Sequence, residues 1–152
     1  CPKKPHLKQL IEVFEKYGDP VITAYQTDNE GTKKYGIIEG VEVEKGVYQI
    51  KKLMEKPGPE KTKSRIASIS GYILTPDIFD ELEIMSKQKG GEFYLTNAIA
   101  KLMEKRPIYA KAVEGKYYDI GSKLTWLKAN IAFGLEDGEI SHDLRKYLKS
   151  IK

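Results

Sequence analysis

Lys51-Lys52-Leu53-Met54-Glu55-Lys56-Pro57 reads as a strand that runs out of a core and is stopped by a proline. Val47, Tyr48 and Ile50 extend the same segment upstream. Pro57 has no N–H and a fixed φ, so a hydrogen-bonded ladder ends near it. Pro57-Gly58-Pro59 then turns the chain. Glu55 and Lys56 therefore stand side by side at a strand exit, where a sheet can hold functional groups steady. A carboxylate accepts hydrogen bonds from hydroxyls, and an ammonium neutralises a phosphate. Together they suit a sugar phosphate. A solvated charge pair at a strand end has the same sequence, so the heptapeptide alone leaves both readings open.

Upstream, Leu7, Leu10, Ile11 and Phe14 fall on one face of a predicted helix from Pro5 to Tyr17, which Gly18 closes. A buried strand is predicted at Val21 to Tyr25, and another from Tyr35-Gly36 to Glu39. Val41 to Lys45 is expected to bend back into the strand carrying Glu55. Downstream, Gly58 to Ser64 is polar linker and Ile66 to Leu74 the longest strand candidate. Thr75-Pro76-Asp77 supplies an N-cap, a first-turn proline and an acid. The helix after it is expected to bury Ile78, Phe79, Leu82 and Met85. Lys87 to Gly91 reads as loop. Leu95, Ala98, Ile99, Leu102 and Met103 mark a helix, and Pro107 to Val113 a strand. Ser122 caps a helix with Leu124, Leu127, Ile131 and Leu135, and Ser141 a last one with Leu144, Leu148 and Ile151. The fold class is α/β: one domain over residues 1–152, with a mixed sheet and flanking helices.

Composition narrows the function. The chain has 152 residues, 40% of them hydrophobic, enough for one compact core. A net charge of +4 from 26 basic and 22 acidic residues gives no sign of nucleic-acid or membrane binding. Cys1 is the sole cysteine, which excludes an intramolecular disulfide and a cysteine metal cluster and fits the cytoplasm. No stretch approaches the ~18 apolar residues of a membrane span, and Cys1 to Pro5 lacks the apolar core of a signal peptide.

Three other places invite a functional reading. Gly36 is either a plain strand start or a point where a ligand nears bare backbone. Asp119, in Tyr117-Tyr118-Asp119-Ile120-Gly121, either holds a turn or binds a divalent cation through its carboxylate. In Glu92-Phe93-Tyr94-Leu95-Thr96-Asn97, Glu92 and Thr96 can be ordinary capping residues. His6 and His142 have no ligand spacing. There is no G-x-x-x-x-G-K-[ST] or G-x-G-x-x-G loop.

Tyr35-Gly36, Glu55-Lys56-Pro57, Tyr72-Ile73-Leu74, Glu92 to Ile99 and Tyr118-Asp119-Ile120-Gly121-Ser122-Lys123, in that order, resemble the bacterial and archaeal UTP–glucose-1-phosphate uridylyltransferases. The likeness runs from about residue 5 to the C-terminus. It implies the C-terminal half of a Rossmann-like nucleotidyltransferase, with UTP and glucose 1-phosphate as substrates and Mg²⁺ as cofactor. It implies that Glu55 binds glucose hydroxyls, Lys56 contacts the sugar phosphate and acts in catalysis, and Gly36 offers its backbone. Tyr72 lines the sugar site and Asp119 is a metal ligand. Departures occur at Ser70-Gly71-Tyr72, where the family commonly reads G-R-Y, and at Glu92 to Ile99, where it reads E-I-Q-L-T-D-A-I.

The resemblance also implies that the glycine-rich triphosphate loop, G-x-G-x-R-x-x-P-x-T-K, and the uracil pocket lie outside these residues. The chain alone is then expected to be inactive. Half of a Rossmann-like sheet is expected to leave a strand edge uncovered and to associate as a homo-oligomer. A sister sugar-1-phosphate nucleotidyltransferase and a non-catalytic sugar-phosphate-binding or assembly module are the alternatives.

Overall fold

The computed structural model describes residues 4–86 and 94–151. The predicted loop Lys87 to Gly91, and Glu92 and Phe93 of the motif above, lie outside the described residues, as does Cys1. The chain divides into two compact units, Cys1–Gly115 and Lys116–Lys152.

The first unit is built on five strands: β1 (Val21–Gln26), β2 (Gly36–Glu44), β3 (Val47–Glu55), β4 (Ile66–Ile73) and β5 (Tyr109–Ala112). Their order is β1-β4-β2-β3-β5, and β5 pairs with both β3 and β1. β1 and β5 run parallel and the other neighbours antiparallel, so the sheet is mixed as expected. The closure corrects the expectation of an uncovered strand edge: β5 pairs on both sides and the described strands form a closed barrel. The strand carrying Glu55 ends at Glu55, two residues before the proline. β2 does not bend back at Val41; it continues to Glu44, and Lys45-Gly46 makes the hairpin turn, with Gly46 at φ 70°.

Two apolar layers flank the strands. Ile22, Ala24, Ile38, Ile50 and Ala110 pack with Ile78, Ala98, Ile99 and Leu102 from α2 (Ile78–Ser86) and α3 (Leu95–Leu102). On the other layer α1 (His6–Tyr17) brings Leu10 and Val13 against Val21, Val47 and Tyr109. Tyr17 stacks on Tyr109 with ring centroids 4.1 Å apart. Gly18 ends α1 in the left-handed conformation, its N–H donating to Phe14 O at 2.8 Å.

Helix faces are where the sequence pattern misled. In α1, Leu7 is exposed and Gln9 is buried. The helix is rotated because Gln9 completes backbone hydrogen bonding: Glu114 N donates to its Oε1 at 2.8 Å, and its Nε2 donates to Lys4 O and Glu114 O. In α2, Phe79 is exposed and Glu81 buried. Residues 78, 81, 82 and 85 make the inward stripe, and the Glu81 carboxylate is paired with the Lys105 ammonium. Thr75 does not cap α2 in the expected way. Its hydroxyl bonds the Asp77 carboxylate, and its carbonyl accepts from Ile78 N at 3.1 Å as a turn.

The second unit holds α4 (Lys123–Glu136) and α5 (Ser141–Ser150). Ser122 caps α4 as expected, with a reciprocal pair: Thr125 N donates to Ser122 Oγ and Ser122 N to Thr125 Oγ1. Leu124 and Leu127, expected on a buried stripe, are exposed; only Ala129 and Gly134 of this helix are buried. Tyr118 packs on Phe133 with centroids 5.5 Å apart.

Candidate functional site

Three adjacent strands meet in one register line. Gly36 opens β2 and pairs with Glu55 on β3 and with Ser68 on β4. Partners across neighbouring strands project to the same face. A Cβ on Gly36 would lie 3.4 Å from Glu55 Oε2, 3.6 Å from Leu53 Cδ1 and 3.8 Å from Ser68 Cβ. The missing side chain thus leaves a cradle with backbone as its floor, the Glu55 carboxylate on one wall and Ser68 on the other. A methyl group would fit there at ordinary contact distance and would occupy the space.

Lys56 follows at φ 45°, the one positive-φ residue other than glycine among the described residues. A left-handed conformation costs a side-chain-bearing residue roughly 1–2 kcal/mol. Neighbouring hydrogen bonds hold it there: Lys56 N donates to Tyr35 O at 3.2 Å and Gly58 N to Thr32 O at 3.1 Å. The 3₁₀ turn Gly31–Lys33 and the residues after it therefore clamp the Glu55-Lys56-Pro57-Gly58 corner. The ammonium stands beside the carboxylate, with Lys56 Nζ 3.6 Å from Glu55 Oε1. Both side chains remain open, with relative exposures of 51% for Lys56 and 33% for Glu55. A contact this long between exposed groups adds little stability, so strain is kept here without an evident structural return.

Tyr72 joins the group. Burial pushes its phenol above the ordinary tyrosine range; the Ser68 hydroxyl pulls part of the way back, and the negative charge of Glu55 adds to the rise. The phenol is therefore a neutral donor at physiological pH. Gly36, Glu55 and Lys56 are thus brought together, with Tyr72 near enough to feel the Glu55 charge. Ser68 is the member that sequence reasoning missed. It lies inside the Ile66 to Leu74 strand candidate with no motif of its own, and the pairing with Gly36 becomes visible only with the strand order known.

Asp119 belongs to the second unit. Its Oδ1 accepts from Gly121 N at 2.8 Å in a turn leading into the Ser122 cap. Among the described residues no group of three His, Cys, Asp or Glu side chains could hold a metal ion. A single carboxylate still fits Mg²⁺, which takes one or two protein carboxylates together with phosphate oxygens and water. Thr96 lies in the first turn of α3 with its buried Oγ1 unpartnered, so it caps nothing. Among the described residues no helix is long and apolar enough to cross a membrane.

Comparison with known proteins bears on the fold and the family. A sequence model described as nucleotidyl transferase matches residues 3–133. A UTP–glucose-1-phosphate uridylyltransferase of Staphylococcus epidermidis is 37% identical over 147 residues, covering 97% of this chain and 51% of that protein. The chain spans about half the length of the curated relatives it matches. Among solved structures, a UDP-glucose pyrophosphorylase complexed with UDP-glucose superposes with a TM-score of 0.82 at 34% identity, over 90% of this chain and 52% of that one. A UTP-bound UGPase from Acinetobacter baumannii has a TM-score of 0.83 at 24% identity, over 95% of this chain and 50% of that one, and shares the fold.

Proposed function

The chain belongs to the nucleotidyl transferase family, and from that premise we propose that it is the sugar-phosphate-binding half, over residues 1–152, of a UTP–glucose-1-phosphate uridylyltransferase. The observation that carries this reading is Lys56, held in a left-handed conformation beside Glu55 and opposite the open backbone of Gly36. The relatives' names supply the reaction class, and the cradle supplies a place for the sugar.

Glucose 1-phosphate would lie with its ring over Gly36, where only glycine leaves room. Glu55 would accept hydrogen bonds from ring hydroxyls, and the Tyr72 phenol would donate one. Lys56 would neutralise the sugar phosphate, holding the attacking oxygen in place and stabilising charge as transfer proceeds. In the transfer that oxygen bonds to the α-phosphorus of UTP while the α-phosphorus–oxygen bond to pyrophosphate breaks. Positioning and charge neutralisation are the main demands of such chemistry. Mg²⁺, when bound, supplies further neutralisation of the phosphates, and Asp119 is the residue of this chain that would hold it. We read the complete enzyme as cytoplasmic. We also read it as a homo-oligomer, supported by the exposed Leu124, Trp126 and Phe133 of α4, which light scattering would check.

Titration calorimetry with glucose 1-phosphate tests the reading. The 152-residue chain should bind it, and should release no pyrophosphate from UTP, glucose 1-phosphate and Mg²⁺, because its residues contain no glycine-rich triphosphate loop. Failure to bind sinks the sugar-phosphate reading; brisk pyrophosphate release sinks the assignment of only half the machinery to this chain. Ser70-Gly71-Tyr72 favours a second reading, a sister enzyme with another sugar. Gly71 sits at φ 116°, and a Cβ there would lie 2.5 Å from His6 Cε1 and 2.7 Å from Thr23 Oγ1. The arginine common in the family would be strained by this φ and would displace the His6 and Thr23 side chains, whose Nε2 and Oγ1 atoms stand 2.8 Å apart. Tighter binding of galactose or mannose 1-phosphate than of the glucose compound would favour the sister enzyme.

A further inference from the structure

We infer that the Ser68 side chain is a specificity-determining contact of the sugar site, its hydroxyl bonding one ring hydroxyl of the bound sugar across the cradle from Glu55. The inference rests on the sugar-phosphate reading above and names a residue which that reading does not require.

Ser68 is more than nine-tenths buried, and its Oγ has no hydrogen-bond partner. A buried hydroxyl without a partner is uncommon in a folded protein and calls for an explanation. The Ser68 hydroxyl lies near enough to the Tyr72 phenol to favour its ionised form by hydrogen bonding, yet the pair falls outside good hydrogen-bond geometry, so Ser68 Oγ is at most weakly engaged. On the β1 side the paired residue is Ala24, which has nothing polar to offer from its side chain. On the β2 side the paired residue is Gly36, where only the cradle lies between Ser68 and the Glu55 carboxylate. A serine has three staggered χ1 wells. Ser68 Cβ lies 3.8 Å from where a Gly36 Cβ would be, so a change of χ1 well can turn Oγ toward that space. A sugar hydroxyl seated there can donate to Glu55, an acceptor only, and accept from Ser68, a donor and acceptor. The two walls thus divide the work on one ring edge, and a sugar lacking that hydroxyl leaves both unpaired.

Ser68→Ala and the near-isosteric Ser68→Cys test this in the 152-residue chain, by calorimetry with glucose 1-phosphate and its 2-, 3-, 4- and 6-deoxy analogues, beside a thermal melt. Loss of a neutral hydrogen bond predicts affinity for glucose 1-phosphate weakened about 3–10-fold. The melt should be unchanged or raised, since an unpartnered hydroxyl is removed. One deoxy analogue should bind the wild type and both variants alike, which identifies the hydroxyl that Ser68 reads. Unchanged affinity in Ser68→Ala overturns the inference, and so does an equal loss against all five ligands, which would mean an indirect effect on the pocket. If the wild type binds no sugar phosphate, the sugar-phosphate reading fails and takes the Ser68 contact with it; if Glu55→Ala loses binding while Ser68→Ala does not, only the contact fails.

Discussion

Two charged corners of the first unit are built on opposite rules. At the β3 exit, Lys56 is strained, Ser68 Oγ has no partner, and the Lys56–Glu55 contact is long and open. At the other corner Arg106, just before β5, ties three connections together. Its Nε and Nη2 donate to Asp19 Oδ1 at 2.9 and 2.7 Å, its Nη1 to Asp77 Oδ2 at 2.9 Å and Thr75 Oγ1 at 3.1 Å, and its Nη2 also to Gly18 O at 3.0 Å. The fork of a guanidinium suits such multiple bonding. The presence of a charge pair does not separate the corners, for each holds a cation beside at least one carboxylate. Satisfaction separates them. A corner that spends its hydrogen bonds internally serves the fold, while the one that leaves donors and acceptors open under strain is the one we propose for a ligand.

The largest expected effects come from breaking the open corner. In the complete enzyme, Glu55→Ala would remove the acceptor proposed for sugar hydroxyls. Lost hydrogen bonds to a charged group cost about 1.5–3 kcal/mol, or roughly 10–150-fold in affinity for glucose 1-phosphate. Lys56→Ala should lower kcat as well as affinity, because on the proposed reading its charge would act on the phosphate whose oxygen attacks. Neither should lower the melting temperature appreciably, as an exposed pair contributes under about 1 kcal/mol. Steady-state kinetics with glucose 1-phosphate varied would show it; wild-type kinetics in both variants would mean that the sugar phosphate binds elsewhere.

Breaking the satisfied corner should do the reverse. Arg106→Ala is expected to destabilise by about 1.5–3 kcal/mol, since Asp19, Asp77 and Gly18 O all lose a charged partner at a partly buried site. Affinity of the folded variant for glucose 1-phosphate should stay within twofold of wild type. Urea unfolding followed by calorimetry reads both. A variant as stable as wild type but unable to bind would show that the two corners are not separable.

The open corner was legible in the sequence and the closed one was not. The place of Glu55-Lys56-Pro57 at a strand exit could be read because strand, charge pair and proline are contiguous, though the heptapeptide left its role open, and the mixed sheet followed from strands in direct succession. Arg106 gave no such signal, since its partners lie in residues 18–19 and 75–77. Gln9 and Glu81 were hidden for a related reason. Periodicity assigns polar residues outward, whereas Glu114 backbone and Lys105 draw these two inward. Phe79, apolar and adjacent to the true stripe, was placed inside by composition when its angular position is outside. The left-handed turn at Lys56 left no mark at all, because such turns are usually announced by glycine or asparagine.

That silent strain makes a smaller prediction with an unusual sign. Lys56→Gly relieves a left-handed conformation worth roughly 1–2 kcal/mol but loosens the unfolded chain by roughly 0.5–1 kcal/mol. The net should be a gain of about 0.5–1 kcal/mol in stability, together with the same loss of sugar-phosphate affinity as Lys56→Ala. Chemical denaturation of the two variants side by side isolates the backbone contribution. A glycine variant less stable than the alanine one would mean that Lys56 is not strained.

The smallest effect concerns pH at the satisfied corner. The Thr75 hydroxyl, and after it the Arg106 guanidinium, hold the Asp77 carboxyl below the usual aspartate range. A carboxylate whose folded pKa lies below its unfolded value binds fewer protons folded than unfolded. Its contribution is therefore fully present above the unfolded value of about 3.9 and disappears as pH falls through the depressed folded value. Asp77 is 37% exposed, so solvent screening limits the contribution to under about 1 kcal/mol. Arg106 itself is held further above its already high range, first by Asp77 and then by Asp19, and stays charged throughout. Melting wild type and Asp77→Asn between pH 7 and pH 3 should show the two curves converging as the acid end is reached, because protonation removes from the wild type what the substitution has already removed. Parallel curves would mean that Thr75 and Arg106 do not favour the ionised form, and the corner would then owe its stability to Asp19 alone.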